Sequence, residues 1–175
     1  MSPPARILLL GMMGAGKSTI GELLSVRQGW PHVDNDQALE DLSGLSREEL
    51  EDLPVTTLHA LEAEHARRLC EMVPPVIAGV AASIADSPDV MALLADAGFC
   101  VYLAQSPESV LSRVGRTGVG RQVLKQGGSA AAALSEQFSR RDPVFRSHAA
   151  LVLDAGRPAQ ENVDRIVDAW TTWSA

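Results

Sequence analysis

The sequence has little cysteine. Among 175 residues there are two, Cys70 and Cys100, and they are far apart in the chain with no CxxC spacing. A disulfide framework or a cysteine-based zinc site requires more cysteines at closer spacing, so we expect neither. Two buried thiols in a reducing compartment are the simpler expectation.

Long apolar runs are also missing. No stretch approaches the roughly 20 apolar residues that a membrane-spanning helix requires. The N-terminal run ILLL follows a single positive charge, Arg6, and Lys17 and Ser18 interrupt the sequence where a signal peptide would be cleaved. We therefore expect a soluble, cytoplasmic protein with no membrane partner.

Positive charge is in short supply. The chain has 15 Lys and Arg against 22 Asp and Glu, with a formal net charge of -7. Binding to nucleic acid or to an anionic membrane surface needs a basic footprint, so we expect neither partner. A local cationic pocket for one phosphate group remains compatible with this composition.

The segments that are present alternate between short continuous apolar runs and stretches with helical periodicity. The runs are typical of strands buried on both faces, and the alternation predicts parallel strands joined by right-handed crossovers. Strands are predicted at 5–10, 32–34, 74–79, 99–104 and 150–156, and helices at 17–26, 36–44, 45–53, 56–73, 87–98, 106–114, 129–141 and 158–173. We expect one three-layer α/β/α domain over 1–175 with a five-stranded parallel sheet and a mobile, glycine-rich lid around 116–128.

Residues 11–19 read GMMGAGKST, between the first predicted strand and the first predicted helix. This is the P-loop pattern GxxxxGK[ST], in which glycines let backbone amides approach a phosphate at a helix N-terminus. It predicts that Lys17 reaches the β- and γ-phosphates of ATP or GTP and that Ser18 binds Mg²⁺. The bland alternative is a glycine-rich turn with a solvated lysine. The predicted nucleotide-binding positions of the loop are Gly14, Ala15, Gly16, Lys17, Ser18 and Thr19.

Two further absences narrow the class of P-loop protein. The guanine-reading motif NKxD of GTPases is missing. Motors and AAA-type ATPases usually carry an apolar strand that ends in Asp, whereas the strand PPVIAG runs into Val80 and Ala81. With a basic glycine-rich loop late in a short chain, a small-molecule kinase is the best class.

Four segments together resemble one family. MMGAGKSTIG (12–21), VDND (33–36), RTGVGR (116–121) and RRDPVF (140–145) occur in the order and approximate spacing of shikimate kinases. The resemblance covers nearly the whole chain. It implies a P-loop fold with helices on both faces of the sheet and Mg²⁺-dependent transfer of the γ-phosphate of ATP to a hydroxyl of shikimate, a step in aromatic amino acid biosynthesis. We expect the protein to be a monomer.

The resemblance also implies roles for individual side chains. Asp34 would help hold magnesium through water, and Asp36 would bind the acceptor hydroxyls and act as a candidate base. Both are expected in an extended segment, where side chains two residues apart reach different neighbours. The alternative is an Asp- and Asn-rich turn in which Asp36 caps a helix. Arg141 would grip the acceptor carboxylate, while the adjacent Arg140 would be solvated.

Other positions match the family's lid and its two binding sites. Lys17, Asp36 and Arg121 are the expected catalytic residues, Arg121 being the lid arginine over the transferred phosphoryl group. Arg116 and Pro158 would flank the adenine, and His59 and Gly79 would border the acceptor.

The acceptor side departs from the family pattern. The family's glycine run after the third strand is Gly79-Val80-Ala81-Ala82 here, and the lid proline is Gln122. The family's Phe-Arg pair is Leu58-His59, although Glu62 is retained. His59 replaces the arginine only when protonated, which is the minority state of an ordinary imidazole at neutral pH.

Three functions remain open from these departures. The first is a shikimate kinase with an unusual pocket. The second is a kinase of the same fold that acts on a different, less acidic polyol or cyclitol. The third is a non-catalytic module that binds a nucleotide and signals by closing its lid.

Overall fold

Strands and helices alternate along the chain in this computed structural model, which describes residues 5–106, 108–109 and 130–175. The strands are β1 (Arg6–Leu10), β2 (His32–Val33), β3 (Val76–Gly79), β4 (Phe99–Ala104) and β5 (Leu151–Asp154). The α-helices bounded within the described residues are α1 (Lys17–Gln28), α2 (Asn35–Ser43), α3 (Arg47–Asp52), α4 (Val55–Glu71), α5 (Pro88–Ala97), α6 (Ala130–His148) and α7 (Ala159–Trp173), and a short 3₁₀ helix covers Ala82–Asp86.

The five strands form one sheet in the order β2-β3-β1-β4-β5, and every neighbouring pair is parallel. Strand β1 is central: Leu8 pairs with Ala78 on one side and with Cys100 on the other. The five-stranded parallel sheet predicted from the sequence is confirmed. Because the strands are parallel, the loops that follow them meet at one edge of the sheet, where ligands bind in such folds.

Alternate residues of β1 enter two separate cores. Ile7 and Leu9 pack with α1 and α7 on one face, while Leu8 and Leu10 pack with α4, α5 and α6 on the other. All four side chains are fully buried. This burial on both faces explains why β1 is a continuous apolar run and confirms the three-layer arrangement.

Helix α6 continues past its predicted end at residue 141 and runs to His148, so that prediction was wrong. Pro143 lies inside the helix, where it removes one backbone hydrogen bond. Phe145, fully buried with its ring 5.1 Å from that of Tyr102, packs the helix onto the sheet beyond the proline. Among the described helices, none is long and apolar enough to cross a membrane.

Candidate active site

The loop between β1 and α1 takes a conformation that only glycine adopts easily. Gly11, Gly14 and Gly16 have φ values of 155°, 72° and 90°, and no described residue other than glycine has a positive φ. Gly16 caps α1 without any side-chain hydrogen bond. Among the described residues, no side chain caps the amides of the first helical turn, which fits the phosphate of a nucleotide.

Lys17 lies in this loop and folds back on it. Its Nζ donates to the carbonyl oxygens of Gly11 at 2.7 Å and Met12 at 3.1 Å. Burial lowers the pKa of Lys17 from 10.5 to about 8, against the opposing attraction of Glu62 and Asp34. Since these two acids only partly compensate for burial, a further anion at this place would stabilise the ammonium.

Gln105 supports the loop from the end of β4. Its Nε2 donates to the carbonyl of Gly14 at 3.2 Å. No motif in the sequence predicted Gln105 as a site residue. Gln105 comes directly after a predicted strand, at the edge of the sheet where the P-loop lies, and this position could have indicated it.

Ser18 and Asp34 bring two oxygen ligands together. Ser18 Oγ donates to Asp34 Oδ2 at 2.6 Å. No cluster of three or more His, Cys, Asp or Glu side chains that could hold a metal is present in the described parts of the chain. Mg²⁺ commonly takes one or two protein oxygens and completes its shell with phosphates and water, so the Ser18–Asp34 pair fits that ion.

Asp34 is also the N-cap of α2. Its Oδ1 accepts from the backbone amides of Asp36 at 3.0 Å and Gln37 at 3.3 Å. The expected extended segment therefore ends at Asp34, and Asp36 lies in the first turn of the helix. The alternative in which Asp36 is the cap is also wrong.

Asp36 forms an ion pair with Arg47 at the start of α3. Both side chains are at least half exposed. The capping box of Ser46 and Glu49 predicted where α3 begins, and the structure confirms it. It gave no indication that Arg47 meets the candidate base, because that contact depends on how α2 and α3 pack.

Gly79, which was predicted to border the acceptor, ends β3 beside Lys17. A Cβ built on Gly79 would lie 3.8 Å from Cβ of Lys17. The two residues that replace the glycine run, Val80 and Ala81, are buried in the core that contains α4, α5 and α6. The side chains that replace the family's glycines therefore pack into the core.

Arg141 is buried and paired within the protein. Its Nε and Nη2 donate to Asp86 Oδ2 at 3.1 and 2.6 Å, and its Nη1 donates to Gln137 Oε1 at 3.3 Å. Arg140, expected to be solvated, is half exposed but also binds Asp86, with its Nε 2.9 Å from Oδ1. Asp86 is a functional candidate that the sequence did not indicate, because the 3₁₀ helix that carries it was not predicted.

His59 and Glu62 of α4 complete this cluster. Burial lowers the pKa of His59, and Arg141 lowers it further, although Asp86 opposes them. Burial raises the pKa of Glu62, against a hydrogen bond from Ser83 and the charges of Arg141 and Lys17. The neutral form of His59 is thus favoured, and it does not supply the second cation of the family pattern.

Three further predicted positions come later in the chain. Pro158 is exposed and caps α7 after β5. Arg116, Arg121 and the predicted lid 116–128 lie outside the described residues.

Comparison with known proteins places these residues in a family. The family model described as shikimate kinase matches residues 13–171. The chain belongs to the shikimate kinase family. A shikimate kinase of Stenotrophomonas maltophilia (strain R551-3) is 34% identical over 176 residues, which cover 99% of this chain and 96% of that protein. A shikimate kinase of Nitrosomonas europaea is 33% identical over 162 residues, covering 89% of this chain and 73% of that one.

Solved structures agree on the fold. A shikimate kinase from Acinetobacter baumannii in complex with shikimate superposes with a TM-score of 0.84 at 24% identity, covering 97% of this chain and 94% of that one. A gluconokinase from Sinorhizobium meliloti gives a TM-score of 0.65 at 19% identity, covering 99% and 95%. The chain therefore has the fold of the P-loop kinases, and members acting on different acceptors share it.

Proposed function

We propose that this chain transfers the γ-phosphoryl group of ATP to a hydroxyl group of shikimate. The carrying observation is the contact of Ser18 with Asp34 at 2.6 Å, which joins the P-loop to the acidic turn after β2. In the sequence, Lys17 directly precedes Ser18, and Asp36 follows Asp34 by two residues. In a member of the shikimate kinase family, this arrangement supports phosphoryl transfer to a small alcohol.

The residues divide the work by charge. Lys17 stabilises the negative charge on the β- and γ-phosphates. Ser18 and Asp34 would hold Mg²⁺, which neutralises phosphate charge when it is bound. Asp36 orients the acceptor hydroxyl and accepts its proton as the hydroxyl oxygen bonds to the γ-phosphorus and ADP leaves.

Arg47 contributes indirectly. Its guanidinium, at the start of α3, pairs with the carboxylate of Asp36 and so restricts where that side chain lies. Arg121 and Arg116 keep the lid and adenine roles expected from the family resemblance. Both cysteines are free thiols, which supports a cytoplasmic location for the reaction.

A second candidate is a kinase of the same fold with a less acidic acceptor. It is favoured by one observation: the guanidinium of Arg141, the expected anchor for the acceptor carboxylate, already binds Asp86. The two candidates share the nucleotide side and differ only in the acceptor.

The experiment that separates them measures ADP release with ATP and Mg²⁺, with and without shikimate, quinate, gluconate and a set of cyclitols. We expect shikimate to stimulate release and to gain one phosphate by mass spectrometry. Stimulation by a neutral cyclitol alone would select the second candidate. A flat response from a protein that binds ATP tightly would select a non-catalytic nucleotide-binding module.

A further inference from the structure

Asp86 lies between two arginines at the acceptor side of the sheet. It ends the 3₁₀ helix that follows β3, and both guanidinium groups that reach it come from α6. Arg140 Nε binds Oδ1 at 2.9 Å, and Arg141 Nη2 binds Oδ2 at 2.6 Å. The carboxylate thus makes the kind of charge-assisted contacts that an acceptor carboxylate would make.

The guanidinium of Arg141 makes three hydrogen bonds within the protein. Each of its three nitrogens has an acceptor within the protein: two donate to Asp86 and the third donates to Gln137. Its side chain is only 6% exposed, whereas that of Asp86 is 25% exposed. An incoming carboxylate that uses the same edge of Arg141 must therefore displace Asp86.

Whether another positive charge is available to an acceptor carboxylate depends on the surrounding side chains. Arg140 and Arg141 both pair with the carboxylate of Asp86, burial raises the pKa of Glu62, and the neutral form of His59 is favoured. Among the described side chains of this cluster, Asp86 is therefore the acid that is ion-paired with both arginines.

We propose that Asp86 determines acceptor specificity by competing with the acceptor carboxylate for Arg141. The pocket then gains little affinity from a negative charge on the acceptor and accepts neutral ring polyols of similar shape nearly as well. This inference rests on the proposed function, since it requires the acceptor to bind beside Arg141.

The first test uses the wild-type protein with two acceptors, shikimate and its primary amide, which has nearly the same shape without the charge. We expect their kcat/KM values to differ by less than about tenfold, because the gain from one charge-assisted pair is offset by the loss of another. Preference for shikimate by more than that would overturn the proposal. This comparison needs no variant to fold.

The second test replaces the competitor. Asp86→Asn keeps the shape of the side chain but removes its charge, so Arg141 becomes available to an acceptor carboxylate. We expect the Kd of shikimate, measured by calorimetry with ADP present, to fall by roughly tenfold. The Kd of the amide should change little. Thermal melting checks that the variant is folded.

Asp89→Asn is the matched control. Asp89 follows three residues later and pairs with Arg67 at 3.0 Å on the exposed surface. Its replacement should leave both acceptor affinities unchanged. Weaker or unchanged shikimate binding by folded Asp86→Asn would show that Asp86 only positions Arg141, and the proposal would fail. If neither the wild type nor Asp86→Asn releases ADP in response to shikimate, the proposed function itself is wrong.

Discussion

Lys17 combines a positive charge with a place where that charge is poorly solvated. Two backbone carbonyls hold its ammonium, and burial brings its pKa to about 8. A bound triphosphate would return the pKa toward its ordinary value, because opposite charge at close range favours the ammonium. Nucleotide binding and protonation of Lys17 are therefore coupled.

This coupling predicts proton uptake when Mg-ATP binds. At about pH 8.5 most of Lys17 is neutral in the free protein, so binding should take up about 0.5 to 1 proton. At about pH 6.5 the lysine is already protonated and uptake should vanish. Calorimetry in buffers of different ionisation enthalpy measures the number. Lys17→Met is the control and should show no uptake; proton release by the wild type at the higher pH would contradict the coupling.

The sequence predicted the local geometry of individual residues better than it predicted which residues contact one another. The glycines of the P-loop and the capping residue Ser46 carry their local geometry in their own chemistry. Arg47 and Asp36 are separated by 11 positions in the chain, and Arg141 and Asp86 by 55. These two contacts depend on how separate elements pack, which local patterns do not record.

At the scale of elements, one side chain at the start of helix α2, Asp34, has both a structural and a functional contact. Asp34 caps the helix with Oδ1 and meets Ser18 with Oδ2. A helix cap contributes about 1 kcal/mol, and Asn caps nearly as well as Asp. The two roles of Asp34 can therefore be separated by a substitution that keeps the cap and removes the charge.

We predict that Asp34→Asn changes the free energy of unfolding by less than about 0.5 kcal/mol but lowers Mg²⁺-dependent phosphoryl transfer by at least about 100-fold. Denaturant unfolding and initial rates over a range of Mg²⁺ concentrations measure the two effects. Asp164→Asn on α7, whose carboxylate lies 3.5 Å from Arg27 on the exposed surface, is the matched control and should leave both the stability and the rate nearly unchanged. Full activity in Asp34→Asn would show that its charge is not needed at the metal site.

Element types and the parallel arrangement of the strands follow from the sequence pattern more readily than element ends do. Strand β4 begins and ends where the apolar run FCVYLA does. Helix α6 exceeds its predicted end because the burial of Phe145 outweighs the helix-breaking tendency of Pro143. The 3₁₀ helix was missed because its five residues are too few to show a period.

At the scale of the whole molecule, the sheet separates two cores that share β1. The three tryptophans lie in one of these layers: Trp30 and Trp170 are 5.6 Å apart, and Trp173 is 5.3 Å from Trp170. Tryptophan fluorescence therefore reports the layer of α1 and α7. We propose that both layers unfold together as one domain.

Leu69→Ala tests this proposal from the opposite layer. Leu69 of α4 is fully buried, so its truncation should cost about 2 to 5 kcal/mol. We expect the midpoint of denaturant unfolding to fall equally by tryptophan fluorescence and by circular dichroism. An exposed substitution on the same helix, Glu64→Gln, serves as the control. A shift in circular dichroism without a shift in fluorescence would reveal two independent units.

The central claim is that the P-loop holds ATP while Asp36 activates an acceptor hydroxyl. The most direct measurement compares wild type and Asp36→Asn for two quantities: ATP affinity by calorimetry, and shikimate-dependent ADP release. We expect unchanged ATP affinity and a loss of ADP release by at least about 100-fold, since the proton acceptor is removed. Undiminished ADP release, or a marked loss of ATP affinity, would contradict it.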